Sequence, residues 1–289
     1  MTDTLLQLDP HRFAEAFTRR PFAVRHSLVN HPLLAPDAIA ALADRLPYAA
    51  IERHQADLPL VMPGGAPEVE GPPSDTVRGI ETNGCWMVLW NIEQAHEYKA
   101  LLDAILDEAE HFVGRREGGM RNRQAFLFLS APNATTPVHF DPEHNFLLQI
   151  RGTKSMNVGR FPDDAERQRE LDRYYDGGHR NLEGMPVEVQ GFDMDPGDGT
   201  YVPSFAPHFV KNGPAVSVSL SITFRTRASE RAENVHVFNS NMRRRLHIQQ
   251  TRPSGRSRTA DLAKSAVVAS YNRLRGRVAG RKAELNQRV

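Results

Sequence analysis

The chain has 289 residues, 40% hydrophobic and 25% charged, with a single cysteine, Cys85. That length suits one large domain or two small ones and buries enough surface to fold without cross-links. One cysteine excludes an intrachain disulfide framework and a cysteine-rich zinc site, and fits a reducing cytoplasm.

Net charge is +1, yet residues 241–289 hold 13 Lys and Arg against two acidic residues, Asp261 and Glu284. A tail of +11 therefore follows a body of −10. Such a tail suits a polyanion, an acidic protein surface or plain solvent. No basic-then-apolar leader opens the sequence and no apolar run approaches 18 residues, so neither a signal peptide nor a membrane span is expected.

Asp9-Pro10 predicts a helix start over residues 9–20, with aspartate as cap and proline in the first turn. Residues 22–29 alternate and predict a strand, and residues 36–46 predict a second short helix ended by Pro47. Residues 59–75, with five prolines and three glycines, predict a long loop, either a plain surface loop or a lid. Residues 85–90 read as a buried strand. Asn91 then caps an amphipathic helix from Ile92 to about Val113, ended by Gly114.

From Gln124 the texture changes. Short apolar strands at 124–130, 136–141, 145–151, 153–160, 187–192, 200–203, 207–211 and 215–226 predict an all-β sandwich or barrel. Arg151-Gly152 and Asn212-Gly213 carry hairpin signals. A charged, helical segment and the run Gly177-Gly-His-Arg-Asn interrupt the strands, where a substrate platform could sit. Residues 259–285 predict a C-terminal helix with a moderate apolar stripe. The expected division is a β-rich domain over 1–240 and a basic helical extension over 241–289.

The chemistry concentrates in Thr136-Pro-Val-His139-Phe-Asp141. Side chains two apart on a strand share a face, so His139 and Asp141 point the same way. They make two thirds of the 2-His-1-carboxylate set that binds non-haem Fe(II) with positions left open. His208, in Pro207-His208-Phe-Val, is the candidate third ligand, although a lone histidine also suits a core position bonded to a carbonyl. Lys154, after the Arg151-Gly152 turn, is either a solvated lysine or a fixed cation for a carboxylate cofactor, with the Thr136 hydroxyl adding a hydrogen bond. His144 and His179 stand near this region and read as surface or loop histidines sooner than substrate contacts. Asp193, Asp195 and Asp198 read as turn residues.

The run Thr136-x-x-His139-x-Asp141-x-x-x-Asn145-Phe-x-x-Gln-Ile-x-Gly-x-Lys154 resembles the core of the JmjC-type, cupin-like 2-oxoglutarate oxygenases. Within them it resembles the asparaginyl hydroxylase that acts on hypoxia-inducible factor. Pro196-Gly-Asp-Gly-Thr-Tyr-Val-Pro-Ser-Phe-Ala-Pro-His208 resembles the family's distal-histidine strand, and the resemblance covers about residues 80–226. It implies a mainly β fold, a double-stranded β-helix of the jelly-roll or cupin type, with flanking N-terminal helices and a C-terminal helical extension. It implies Fe(II) held by His139, Asp141 and His208, and 2-oxoglutarate bound through Lys154 and Thr136, with Asn145 near the cofactor. Where that hydroxylase has an asparagine on the last barrel strand, this chain has Ser221. Family members dimerise through C-terminal helices, a role that residues 259–285 would fill.

The row Ser217, Ser219, Ser221 and Thr223 faces either a polar cavity or solvent. The expected function is hydroxylation of a C–H bond in a peptide, an amino acid or a small metabolite. The alternatives are a non-catalytic cupin-like binding protein with a basic tail, and a metal-cupin enzyme that does not use 2-oxoglutarate. Aromatic residues that stack bases are nearly absent from the tail, with Phe238 and Tyr271 the only ones after Phe224, which weighs against nucleic acid.

Overall fold

The structure, a computed structural model, describes residues 4–62, 71–248 and 253–286. Its elements run β1 (Leu6–Gln7), α1 (Pro10–Ala16), β2 (Phe22–His26), α2 (Pro36–Arg45), β3 (Ile51–Gln55), α3 (Pro73–Arg78), β4 (Cys85–Leu89) and α4 (His96–Glu117). Then come β5 (Arg121–Ser130), β6 (Thr135–His139), β7 (His144–Arg151), β8 (Lys154–Arg160), α5 (Asp164–Tyr175), β9 (Val187–Met194), β10 (Asp198–Val202), β11 (His208–Asn212), β12 (Ser217–Arg225), α6 (Arg227–Leu246) and α7 (Arg258–Asn286). Chain contacts gather these into two units: residues 1–162 with 179–226, and residues 163–178 with 227–289.

In the first unit the strands make two sheets, an eight-stranded one ordered β1-β2-β10-β7-β12-β5-β4-β3 and a four-stranded one ordered β6-β11-β8-β9. From β5 to β12 the chain passes back and forth between the sheets, and every pairing is antiparallel. This is the double-stranded β-helix implied above. Two turns depart from expectation. Arg151-Gly152 joins β7 to β8 and Asn212-Gly213 leads from β11 towards β12, and in each case the two strands belong to different sheets. They are corners of the barrel, not hairpins. Gly152 has φ 69°, and a Cβ there would stand 2.2 Å from the Val216 carbonyl oxygen. The corner closes only without a side chain.

The larger sheet has two distinct faces. Phe146, Leu148, Ile150, Leu127, Leu129, Val218, Leu220, Ile222 and Phe224 join one core with the helical residues Phe13, Ile39, Leu42, Tyr98, Leu102 and Ile105. The alternate residues of β12, namely Ser217, Ser219, Ser221 and Thr223, are buried on the opposite face, inside the barrel. The hydroxyl row therefore faces inward, one of the two choices open from sequence.

Local signals at helix starts succeed unevenly. Asp9 accepts from the His11 and Arg12 amides and Pro10 occupies the first turn, as expected. Asn91 does not cap the long helix: it has φ 53° and opens a single 3-10 turn, while α4 begins at His96. Its side-chain oxygen accepts instead from Gln124 Nε2, at 3.0 Å. Gly114 lies inside α4 at a kink. Part of the loop expected over 59–75 is the short helix α3, and residues 63–70 lie outside the described residues.

The second unit packs α5 with α6 and α7. Arg243 reaches Asp172 at 2.7 Å and Asp176 at 2.8 Å, and Tyr175 stacks on His236 with centroids 5.1 Å apart. Lys264 donates to Asn239 Oδ1 at 2.7 Å. The division expected after residue 240 falls inside α6. Among the described residues no helix is long and apolar enough to cross a membrane.

Candidate active site

β6 and β11 are neighbours in the smaller sheet, with His139 directly opposite His208. Facing residues on paired strands share a side, so both imidazoles rise from one face. Asp141 follows just past the end of β6, anchored by the Phe205 amide, which donates to its carbonyl at 2.7 Å. The intervening Phe140 is fully buried. Asp141 Oδ2 lies 3.5 Å from His208 Nε2 and 3.9 Å from His139 Nε2. One donor atom from each of the three lies within 4.8 Å of the others, and this is the single such group of His, Cys, Asp and Glu among the described residues.

Each imidazole is set from behind. His139 Nδ1 stands 2.8 Å from the Pro137 carbonyl oxygen and His208 Nδ1 stands 2.9 Å from that of Ala206. A carbonyl can only accept, so Nδ1 carries the proton in both rings and Nε2 is the nitrogen presented to the centre. Burial drives His139 well below its ordinary pKa, with His208 adding to the effect. For Asp141 burial alone would act upward, but the Arg180 guanidinium and the two histidines more than offset it and hold the carboxyl below its usual range. Two imidazoles and a carboxylate on one side of a centre form a donor set for a divalent metal with positions left open.

The register places the other predicted residues. Opposite β11, Val210 pairs with Thr136 while His208 pairs with His139, so β6 spends three residues where β11 spends two. This bulge returns Thr136 to the face that carries His139. Asn212 pairs with Lys154 and is two strand steps from Val210, so Lys154 shares that face too. Lys154 is buried, and burial lowers it to about 7. It has no hydrogen-bond or ion-pair partner among the described residues. A buried lysine left single needs an anion or neutralisation.

Across the barrel, Ser221 donates to Asn145 Oδ1 at 2.9 Å, and Ser219 donates to Gln149 Oε1 at 2.7 Å. The contact that the serine substitution left open on β12 is thus a bond to Asn145. Asn212 Oδ1 and Thr223 Oγ1 are buried with no partner among the described residues. An unpaired lysine, carbonyl oxygen and hydroxyl on interior faces are polar groups that a polar guest would satisfy.

Sequence reasoning missed Arg180. Its Nη1 stands 2.7 Å from Asp141 Oδ1, and its guanidinium lies over the Trp90 ring, 5.3 Å from the centroid. The only signal was its place in Gly177-Gly-His-Arg-Asn. The two flanking candidates fall elsewhere. His144 is buried in the core, where its Nδ1 accepts from Tyr201 Oη at 2.8 Å and its ring packs on Phe17 and Phe224. It is a core residue and not a surface one. His179 is exposed, and its Nδ1 accepts from the Asn181 amide at 3.1 Å. Asp195 and Asp198 bond to each other's backbone, which makes them turn residues.

Residues 116–233 match the JmjC domain. No curated protein matches the sequence. Solved structures of YcfD from Escherichia coli superpose on 92% of this chain. One, solved by X-ray, is 18% identical over 68% of that chain, with a TM-score of 0.53. Another, of YcfD described as a ribosomal oxygenase in complex with cobalt and 2-oxoglutarate, is 16% identical over 67% of that chain, also at 0.53. A third, with cobalt and succinic acid, is 17% identical over 67%, again at 0.53. At these identities the likeness is one of fold.

Proposed function

We propose that this chain, whose residues 116–233 match the JmjC domain, is a 2-oxoglutarate oxygenase that hydroxylates a C–H bond of a peptide, an amino acid or a small metabolite. Fe(II) would be held by His139, Asp141 and His208. When bound, the metal and 2-oxoglutarate together supply O₂ activation, with the keto acid decarboxylated to succinate. The chain's own residues do the rest. The Pro137 and Ala206 carbonyls keep both histidines in the metal-binding tautomer. Lys154, with Thr136, would meet the far carboxylate of the keto acid, and Asn145, which accepts from Ser221, would lie near it.

One observation carries this reading: a buried, unpartnered lysine shares the barrel face of a converged His-Asp-His group. A non-catalytic binding protein would keep the barrel without retaining both. Loss of succinate formation in His139→Ala, together with a new oxygen atom on the product in wild type, is the test. Formaldehyde release would redirect the reading to demethylation, because an N-methyl group hydroxylated on carbon falls away. Failure of wild type to consume 2-oxoglutarate with any offered substrate or alone, while iron is bound, would count against it.

The chain acts as a homodimer in this proposal. α7 exposes Val267, Tyr271 and Leu274, spaced by four and three residues on one helix face. A cytoplasmic setting, which low cysteine usage favours, is part of the same proposal.

A further inference from the structure

The two carboxylate oxygens of Asp141 are divided between different neighbours. Oδ2 faces both imidazole Nε2 atoms. Oδ1 faces Arg180 Nη1 at 2.7 Å. The guanidinium is itself fixed in place. It lies over Trp90, whose Nε1 donates to Glu52 Oε2 at 2.8 Å. Glu52 Oε1 meets His54 Nε2 at 2.6 Å, and His54 stacks on Trp86. A chain of contacts from β3 and β4 thus ends on one oxygen of a candidate metal ligand.

A carboxylate can donate one oxygen or both to a cation. With one, a six-position metal keeps three positions open beside two histidines. A keto acid that chelates uses two of them, and O₂ needs the third. With both oxygens bound, only two remain. We infer that Arg180 is a positioning residue that holds Asp141 to one-oxygen donation and so preserves the position that 2-oxoglutarate and O₂ require together. The inference rests on the function proposed above. The guanidinium cannot lose its proton, so the restraint holds at any working pH.

Arg180→Met separates this role from a general structural one. Fe(II), 2-oxoglutarate and then nitric oxide, a stand-in for O₂, are titrated into wild-type and variant apoprotein without O₂. In Arg180→Met the freed oxygen can chelate, so Fe(II) and 2-oxoglutarate still fill the site while nitric oxide binds the loaded centre about tenfold or more weakly. Arg180→Lys, which keeps a cationic donor near Oδ1, stays close to wild type on all three. Parallel weakening of metal, keto acid and nitric oxide in Arg180→Met, or an unchanged nitric oxide affinity, overturns the role of Arg180. So does an Arg180→Lys protein that binds metal and keto acid normally but loses nitric oxide, which decides the matter even where the methionine variant does not fold. Wild-type protein that takes up neither Fe(II) nor 2-oxoglutarate overturns the proposed function itself.

Discussion

Lys154 is the residue on which the cofactor assignment turns, and its environment makes a prediction with a definite sign. Its folded pKa, lowered by burial to about 7, lies below the unfolded value of roughly 10.4. Between those values the unfolded chain binds more protons, so this group makes stability rise with pH from about 7 to about 10. Lys154→Met should flatten that rise in a series of thermal melts. A bound carboxylate instead favours the ammonium. Above pH 7, binding of 2-oxoglutarate should take up about one proton, and its Kd should rise about tenfold per pH unit. Calorimetry in two buffers of different ionisation enthalpy reads the uptake; a Kd that is flat from pH 7 to 9 would contradict the account. Asn145 supplies a second case. Ser221→Ala leaves its buried Oδ1 without the serine donor and should cost about 1–3 kcal/mol in denaturant unfolding. His139, Asp141, His208 and Lys154 were legible because strand alternation and a short motif place them. Arg180 was not, because it reaches Asp141 from 39 residues away through a segment with no period.

At the scale of elements, strands were easier to read than the connections between them. The eight short apolar runs from Gln124 all became strands, since alternation survives whichever partner a strand finds. The glycine turns were misread as hairpins because turn chemistry reports a sharp reversal without saying which sheet receives the next strand. Gly152 tests the corner. Its left-handed φ and the Val216 carbonyl 2.2 Å from a would-be Cβ predict that Gly152→Ala costs at least about 2 kcal/mol, a fall in Tm of several degrees. A variant as stable as wild type would show that the corner can relax. The β6 bulge, which puts Thr136 on the face of His139, had one sequence signal that was passed over, Pro137, a residue that strands admit at edges and bulges. Asn91 shows the reverse error: a good capping residue followed by an apolar stripe, with the side chain drawn away to Gln124.

For the whole molecule, the barrel was legible through the resemblance and not through composition. Its order joins strands far apart in sequence, such as β2 with β10 and β5 with β12, and local pattern carries no information about such pairs. The charge asymmetry was legible, but the break between the two units was not, because α6 continues through residue 240 without a composition change. If α7 is the dimer surface, Val267→Glu with Leu274→Glu should turn a dimer into a monomer by sedimentation while keto-acid binding persists. A variant that remains dimeric would move the interface elsewhere. In the proposed function one barrel face holds a metal and 2-oxoglutarate side by side. Anaerobic titration of the apoprotein with Fe(II), then with 2-oxoglutarate, tests it most directly by the weak visible charge-transfer band of a chelated keto acid. Wild type should show the band, His139→Ala none and Lys154→Ala a weakened one. No band in a wild-type protein that fails to bind iron would contradict it.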